Sequence, residues 1–348
     1  MNFAETDEQA MIRDMVRDFA ETVAGPSCHQ RDKEQRPPID EFKEFAGLGF
    51  AGMTISEKYG GQKLDDISEA IVIEELSRVD PSLGVMVAVH VGLCSMTIAL
   101  NGNEEQKKKY LPKLASGEHL GAYSLSEAGS GTDAAAMVAK ATEDGSNFIL
   151  NGEKMWVTNG TTADLFILFA KVTEHPDYGK KKHGGVTCFV VEKGFNGFKI
   201  GKKEDKLGMR ASETAELIFD NCKIPGCNIL GGVGEGFVQA MKVLDGGRIS
   251  IAALALGIAK GAYIAAKQYA KERKQFGKPI ASYQLQQKKL AEMITEITKA
   301  QFLTWRLGVL RNEGRATTAQ ISMCKRNNVD MALNIAREAR QILGAMGI

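Results

Sequence analysis

The sequence predicts an α+β multidomain protein with an N-terminal α-helical domain, a central β-barrel or β-sandwich and a C-terminal bundle of long helices. Apolar residues recur at helical spacing through the first third, and short apolar runs between turn residues follow from about residue 120. A helical pattern returns from about residue 234. A chain of 348 residues also exceeds what one hydrophobic core usually serves. We expect domains at 1–119, 120–232 and 233–348, the last one incomplete.

The first third carries clear signals for helix starts. Thr6 and Gln9 have the spacing of a capping box, in which each side chain bonds the backbone N–H of the other residue. Asn103 and Glu104 open a later helix, which is expected to run through Leu111. Further helices are expected at 39–48, 66–79 and 81–100.

The central third reads as a series of short strands. Asn151-Gly152 separates two apolar runs and predicts a hairpin. A type I′ turn needs positive φ at both central residues, and Asn-Gly is a preferred pair for these positions. The spacing of the short strands in this third favours a barrel or sandwich over alternating β-α units. Three more strands are expected at Leu165–Phe169, Val186–Val191 and Ala215–Phe219.

The last third predicts three long helices, near 234–272, 281–312 and 316–343, with a turn at Gly277-Lys278-Pro279. Asp245-Gly246-Gly247-Arg248 falls inside the first of them. Each glycine there costs about 1 kcal/mol of helix propensity relative to alanine. The pair therefore indicates close approach by a ligand or another helix.

Composition excludes several classes of function. The net charge is only +1, from 44 basic and 43 acidic residues, which disfavours a nucleic-acid-binding protein. Six scattered cysteines without a CxxC pair, and five histidines without HxxxH spacing, predict no metal centre. We see no signal peptide, transit segment or long uninterrupted apolar run, so we expect a cytoplasmic protein without membrane insertion, or a mitochondrial matrix protein without its leader.

Three segments carry chemistry, each with an ordinary structural alternative. Ser124–Asp133 is a loop rich in hydroxyls and glycines that suits a flat or anionic ligand, or simply joins two strands. Trp156-Val157-Thr158 places an indole where it can stack on a ring, or fill the core. Arg273 follows a helix and can bind pyrophosphate, or remain solvated. The glycines at 231–236 do not have GxGxxG spacing, so a dinucleotide would bind on a fold other than Rossmann.

Together the segments resemble the acyl-CoA dehydrogenase family along the whole chain. The matching segments are Ser124–Asp133, Trp156–Thr158, Lys206–Arg210, Asp245–Arg248, Arg273–Phe276 and Gln341–Gly344. Residues 202–208 resemble short-chain, butyryl-CoA members, whereas 288–298 and 325–328 resemble glutaryl-CoA dehydrogenases. Departures are Ala128 in place of proline, Ala345 in place of glycine and Ser126 in place of threonine.

The resemblance implies the acyl-CoA dehydrogenase fold, FAD as cofactor and a set of binding residues. Tyr123, Leu125 and Ser126 would contact the flavin ring, and Trp156 and Thr158 would cover it near its N5 edge. Thr132 would lie near both pyrophosphate and pantetheine, and Asp245 and Arg248 would meet the CoA part of the substrate. The full set of implied cofactor residues is Tyr123, Leu125, Ser126, Gly131, Thr132, Trp156, Val157, Thr158, Arg273, Gln275, Phe276, Tyr283, Gln284, Gln341, Ile342, Leu343 and Gly344.

The implied reaction is oxidation of a short- or medium-chain acyl-CoA to its trans-2-enoyl-CoA, with electrons passed to an electron-transfer flavoprotein. The implied assembly is a homo-oligomer, a tetramer by family habit, in which Arg273, Phe276 and Gln284 hold a neighbour's FAD. Alternatives are a non-catalytic flavoprotein or structural homologue, a glutaryl-CoA-type dehydrogenase and an acyl-CoA oxidase.

The resemblance also implies where the catalytic base lies. Most family members carry it as a Glu in a Tyr-Glu-Gly-Thr segment beyond the last helix, and a minority carry it at the position of Gly247. Glycine has no side chain, so we expect the base downstream of Ile348 in a chain that looks truncated, and no catalytic residue within it.

Overall fold

The computed structural model describes residues 3–348, which form two compact units. The first comprises the chain up to His29, residues 65–85 and residues 248–348, and the second comprises 30–64 and 86–247. The order of helices, then strands, then helices is confirmed. The domain boundaries expected from the sequence stay a prediction.

The N-terminal helices begin where the capping signals predict. The backbone N–H of Gln9 donates to Oγ1 of Thr6 at 3.2 Å, and that of Gln106 donates to Oδ1 of Asn103 at 2.9 Å. Both capping boxes are complete. The helices are α1 (Asp7–Phe19), α2 (Gly25–Glu34), α3 (Ile39–Gly47), α4 (Asp66–Val79), α5 (Pro81–Ala88), α6 (Met96–Asn101) and α7 (Glu104–Ala115).

The helix predicted at 81–100 is interrupted. A π-helical segment, Val89–Ser95, separates α5 from α6. Within it, Oγ of Ser95 donates to the carbonyl oxygen of His90 at 2.8 Å, five residues earlier, which matches the wider π-helical turn. Hydrophobic periodicity cannot detect such a local widening because the apolar content is unchanged.

The central strands form one open sheet. Its order is β6-β7-β3-β2-β4-β5-β8, and β1 pairs in parallel with β4. Because the sheet has free edges, the barrel alternative is wrong, while a sandwich remains compatible. The strands are β1 (Gly121–Ser124), β2 (Lys140–Asp144), β3 (Asn147–Thr158), β4 (Leu165–Val172), β5 (Val186–Glu192), β6 (Phe198–Lys203), β7 (Thr214–Pro225) and β8 (Ile229–Leu230).

The hairpin predicted at Asn151-Gly152 is wrong. Strand β3 runs through both residues, and its register against β7 shifts between Leu150 and Gly152. A Cβ on Gly152 would lie 2.7 Å from that of Ala139, so the glycine permits close packing within the sheet. The real hairpin joins β2 to β3 just upstream, with Gly145 at positive φ.

The C-terminal third contains three long helices, as predicted. The helix α8 carries Asp245–Arg248 within it, and a short hairpin follows. In the first unit, Ile297, Ala300, Met331 and Ile335 form part of the core. The elements are α8 (Gly236–Glu272), β9 (Lys274–Gln275), β10 (Lys278–Pro279), α9 (Gln284–Asn312) and α10 (Thr318–Leu343).

Two helical stretches, Pro81–Asn101 and Gly236–Glu272, are long and apolar enough to cross a membrane by length and composition alone. Their apolar windows are 67% and 56% buried inside the protein, which is typical of core helices.

A buried carboxylate in the first unit collects three guanidinium groups. Glu75 on α4 accepts hydrogen bonds from Arg13 at 2.5 Å, Arg17 at 3.2 Å and Arg78 at 3.0 Å. Burial alone raises the pKa of Glu75, but the hydrogen bonds from Arg17 and Arg13 outweigh it and leave the pKa below its ordinary value. The carboxylate is therefore ionised and holds α1 against α4.

His90, in the π-helical segment, is fully buried in the second unit. Its Nδ1 accepts from the backbone N–H of Gly121 at 3.0 Å, so the proton lies on Nε2, which donates to the carbonyl oxygen of Leu114 at 3.0 Å. Burial lowers the pKa of His90 to about 4. The histidine is thus neutral in the folded protein.

We expect the protein to lose stability as the pH falls from about 6.5 to about 4. In this window the unfolded chain binds a proton at His90 and the folded chain does not, so acid favours unfolding. The loss reaches about 3 kcal/mol at the lower limit. Urea unfolding across this range measures it in His90→Gln, whose free energy of unfolding should vary less with pH. His29→Gln, which changes an exposed histidine, should retain the full dependence, and equal slopes in the two variants would contradict the prediction.

Candidate functional site

The loop after β1 is folded on itself, and its two glycines are open to solvent. The N–H of Glu127 donates to the carbonyl oxygen of Ser130 at 2.9 Å, and the reverse bond is 3.1 Å long. A Cβ on Gly129 or Gly131 would meet no atom within 4 Å. A ligand can therefore approach this backbone closely, as the sequence predicted for the Gly/hydroxyl segment.

The loop residues predicted to bind the cofactor differ in exposure. Leu125 and Ser126 are half-buried, and Gly131 and Thr132 are exposed. Tyr123 is buried in β1, with its ring centroid 5.3 Å from that of Phe169. Its hydroxyl is buried and finds no hydrogen-bond partner within residues 3–348.

Trp156 has an unusual conformation at the end of β3. Its backbone is left-handed, with φ of 58°, and lies in a register shift between Lys154 and Val157. For a residue other than glycine, this region costs about 1–2 kcal/mol. The side chain remains 54% exposed, so the strain does not serve core packing. Such strain is typical of functional sites, and the exposed indole offers a face for stacking.

The loop after β1 and the end of β3 are joined directly. The N–H of Met155 donates to the carbonyl oxygen of Ser126 at 2.9 Å. One residue earlier, Nζ of Lys154 donates to the carbonyl oxygen of Leu125 at 3.0 Å and to the Glu127 carboxylate at 2.7 Å. The structure thus brings the two predicted flavin-contact segments together. Nothing in the sequence pattern singled out Lys154 or Glu127 as the link.

Two further residues hold the chain just after Thr158. Asn159, also left-handed, donates from Nδ2 to the carbonyl oxygens of Met86 at 3.2 Å and Gly121 at 3.1 Å. The buried Glu213 accepts from the backbone N–H groups of residues 161 and 162 at 3.1 and 2.8 Å. Sequence reasoning missed both. An Asn before Gly160 was the available signal, because Asn tolerates positive φ.

In the first unit, the hairpin between β9 and β10 presents an exposed ring. Phe276 is 94% exposed at φ of 52°, and Gly277 follows at φ of 76°. Oη of Tyr283 donates to the carbonyl oxygen of Gln275 at 3.0 Å. The structure therefore places Gln275, Phe276 and Tyr283 together beside the exposed Arg273.

The remaining predicted cofactor-binding residues lie at helix ends. Gln284 is the first residue of α9, and Gln341–Gly344 closes α10, with Gly344 at φ of 59°. Ile342 is buried in the core of the first unit, so its side chain packs against protein. Asp245, Gly247 and Arg248 share one turn of α8, and a Cβ on Gly247 would lie 2.6 Å from Cδ2 of Leu93.

These features fit a flavin nucleotide. An exposed indole beside an open glycine and hydroxyl loop can contact a planar ring, and the Arg273–Phe276 surface can contact a nucleotide. Over the described part of the chain, no three potential metal ligands cluster.

Comparison with known proteins gives a consistent result. Models of the acyl-CoA dehydrogenase N-terminal, middle and C-terminal domains match residues 6–118, 122–222 and 234–348. The short-chain specific acyl-CoA dehydrogenase of Clostridium acetobutylicum is 41% identical over 347 residues, which cover 100% of this chain and 90% of that protein.

Two solved structures share the fold over the whole chain. A chain in the structure of the electron transferring flavoprotein of Acidaminococcus fermentans has a TM-score of 0.96 at 43% identity. The butyryl-CoA dehydrogenase of Megasphaera elsdenii has a TM-score of 0.95 at 39% identity. Each alignment covers 100% of this chain and 90% of the other.

Proposed function

The chain belongs to the acyl-CoA dehydrogenase family, a family of FAD enzymes, and on this premise we propose that it oxidises a short- or medium-chain acyl-CoA to the trans-2-enoyl-CoA. The exposed, left-handed Trp156 beside the open loop after β1 is the observation that carries the proposal. Anaerobic mixing of FAD-loaded protein with butyryl-CoA tests it, by flavin bleaching and chromatography of the crotonyl-CoA formed. Retention of FAD without product would support a non-catalytic flavoprotein.

The residues of the candidate site bind the cofactor and the substrate and orient them relative to each other. When bound, FAD would supply the acceptor for a hydride from the β carbon of the acyl chain. Ser126, Trp156 and Thr158 hold and cover the ring, and the indole also keeps water from it. We propose that Thr132 contacts both cofactor and thioester, and that Asp245 and Arg248 bind the CoA part of the substrate. Loss of the α proton to a carboxylate base completes the reaction.

We expect the specificity constant kcat/KM for butyryl-CoA to exceed that for glutaryl-CoA by about 10²-fold, because burying an unpaired carboxylate costs several kcal/mol. The resemblance places the carboxylate-binding Arg and Ser of glutaryl-CoA dehydrogenases at Gly84 and Ala88 of α5. Neither side chain binds an anion, and Gly84 instead packs against Ser77. Steady-state rates with both thioesters check this. A higher value for glutaryl-CoA would establish the glutaryl-CoA-type alternative.

We expect Arg273→Ala to weaken FAD binding by about 10- to 100-fold, because a charge-assisted contact with the cofactor is lost. Titration of the apoprotein with FAD measures the effect. Lys274→Ala, which changes the adjacent exposed cation, should bind FAD as the parent does. The proposal also requires an oligomer, since Arg273, Phe276 and Gln284 are assigned to a neighbour's cofactor. Light scattering that showed a monomer with full FAD occupancy would contradict it.

We further propose a homotetramer that passes electrons to an electron-transfer flavoprotein in the cytoplasm, or in the mitochondrial matrix. The likeness to a chain of the Acidaminococcus structure supports the electron acceptor. An acyl-CoA oxidase would instead pass electrons to oxygen, so a peroxide assay during turnover separates the two.

A further inference from the structure

The ion pair between Lys154 and Glu127 is deeply buried within the candidate site. The Lys154 side chain is 0% exposed and that of Glu127 is 5% exposed, with 2.7 Å between Nζ and Oε1. Burial lowers the pKa of Lys154, and the Glu127 carboxylate opposes that shift. No sequence pattern predicts a role for either residue.

The pair connects three separate segments of the second unit. Nζ of Lys154 also donates to the carbonyl oxygen of Leu125 at 3.0 Å. The Glu127 carboxylate accepts from the backbone N–H groups of Val138 at 2.6 Å and Ala139 at 3.2 Å. The loop after β1, the start of β2 and strand β3 are therefore joined at one buried point.

Stability alone does not explain this arrangement. Replacing a buried ion pair by apolar residues of similar volume is often neutral or stabilising, because desolvating two charges is costly. The pair lies one residue from Ser126 on one segment and two residues from Trp156 on the other, and the Met155–Ser126 bond lies between them. The location of the pair therefore indicates a role in holding the two segments that are predicted to contact the cofactor.

We propose that Lys154 and Glu127 are positioning residues that hold Leu125–Ser126 and Trp156–Thr158 in the geometry that receives the flavin ring, and that they keep the local charge neutral beside it. The proposal rests on the proposed function. If the pair keeps the local charge neutral, removing one charge should change the flavin midpoint potential. Removing Lys154 leaves an uncompensated carboxylate, and a nearby negative charge opposes flavin reduction. Removing both charges restores neutrality without restoring the bond to Leu125.

The test compares FAD-loaded parent, Lys154→Met and Lys154→Met/Glu127→Gln at pH 8. Lys154→Met should lower the flavin midpoint potential and weaken FAD binding by about 10-fold or more, since the Leu125 oxygen loses a charged donor. The double variant should regain the parent's potential but keep weakened FAD binding. Spectroelectrochemistry and FAD titration give the two readouts.

Two controls separate positioning from general stability. Lys223→Met breaks an exposed ion pair with Asp144, 2.8 Å long, and should change neither readout. Val191→Ala removes core volume from the same sheet and should lower the unfolding midpoint without shifting the potential. If Lys154→Met does not fold, Lys154→Gln supplies a neutral donor and should still lower the potential.

Each outcome bears on one proposal. A parent protein that does not bind FAD would overturn the proposed function itself. A parent that binds FAD and oxidises butyryl-CoA, with an unchanged potential in the folded Lys154 variant, would overturn only the role of the pair. The role of the pair would also be overturned if the flavin midpoint potential were equally low in the single and double variants. The same holds if Val191→Ala shifted the potential as much as Lys154→Met does.

Discussion

The Gly247→Glu variant of residues 1–348 is expected to reduce its flavin with butyryl-CoA about 10²-fold faster than the parent chain, since a positioned general base contributes 10²–10⁴-fold. The family resemblance gives position 247 as one of two places for the base, and here it is glycine. An added Cβ would lie 2.6 Å from Cδ2 and 3.5 Å from Cγ of Leu93, both in one flexible side chain. The helix can therefore accept the substitution with a small rotation of Leu93.

Asp245 is not expected to serve as the base in the parent chain. It precedes Gly247 by two residues, which places it about 200° around the helix axis. We propose that it contacts the substrate instead.

The matched control is Gly247→Gln, which has the same size as the glutamate variant but cannot take up the α proton. Anaerobic stopped-flow bleaching compares the three proteins at equal FAD occupancy. Similar rates for the Glu and Gln variants would show that a carboxylate at this position is not used. A parent chain already as fast as Gly247→Glu would show that a base lies elsewhere within residues 1–348.

The Glu75→Gln variant should lose about 3 kcal/mol of unfolding free energy, because it removes the charge of the buried carboxylate that three guanidinium groups share. Glu75 is almost completely buried and holds Arg13, Arg17 and Arg78. Glutamine keeps the shape but supplies neither the charge nor the second strong acceptor. Denaturant unfolding at pH 7 measures the change.

The neighbouring Glu21 gives a control for surface charge. It is 53% exposed and contacts Arg78 at 2.7 Å. An exposed pair contributes up to about 1 kcal/mol, so Glu21→Gln should have a small effect. Comparable losses in the two variants would mean that burial of Glu75 does not set the strength of the cluster.

Local signals predicted the helices well because helix starts depend on nearby residues. The capping box at Thr6, the helix start at Asn103-Glu104 and the helix at 66–79 all appear as expected. The hairpin prediction at Asn151-Gly152 was wrong because the turn preference of these two residues is weaker than the pairing of β3 with β7. The residues of β7 lie far from β3 along the chain. The π-helical segment at Val89–Ser95 likewise has no periodic signature.

The sequence predicted which segments contribute to the candidate site, but it did not predict how those segments are arranged in space. Ser126 and Trp156 belong to patterned segments, and the structure joins these through Met155. Sequence alone did not show that Lys154 is buried, because lysine is almost always exposed and its burial depends on a partner elsewhere in the chain. The left-handed backbone of Trp156 was equally inaccessible, since it arises from the register of β3 on β7.

Trp156 also limits how this protein should be engineered. Glycine adopts a left-handed backbone without penalty, so replacing the tryptophan would relieve about 1–2 kcal/mol of strain and remove exposed apolar surface. A library screened only for thermal tolerance or expression yield would therefore enrich glycine or asparagine at 156 and discard the indole. Stabilising mutations often reduce function at strained sites in this way. Redesign of this fold should keep position 156 constant and screen for retained yellow colour as well as for heat resistance.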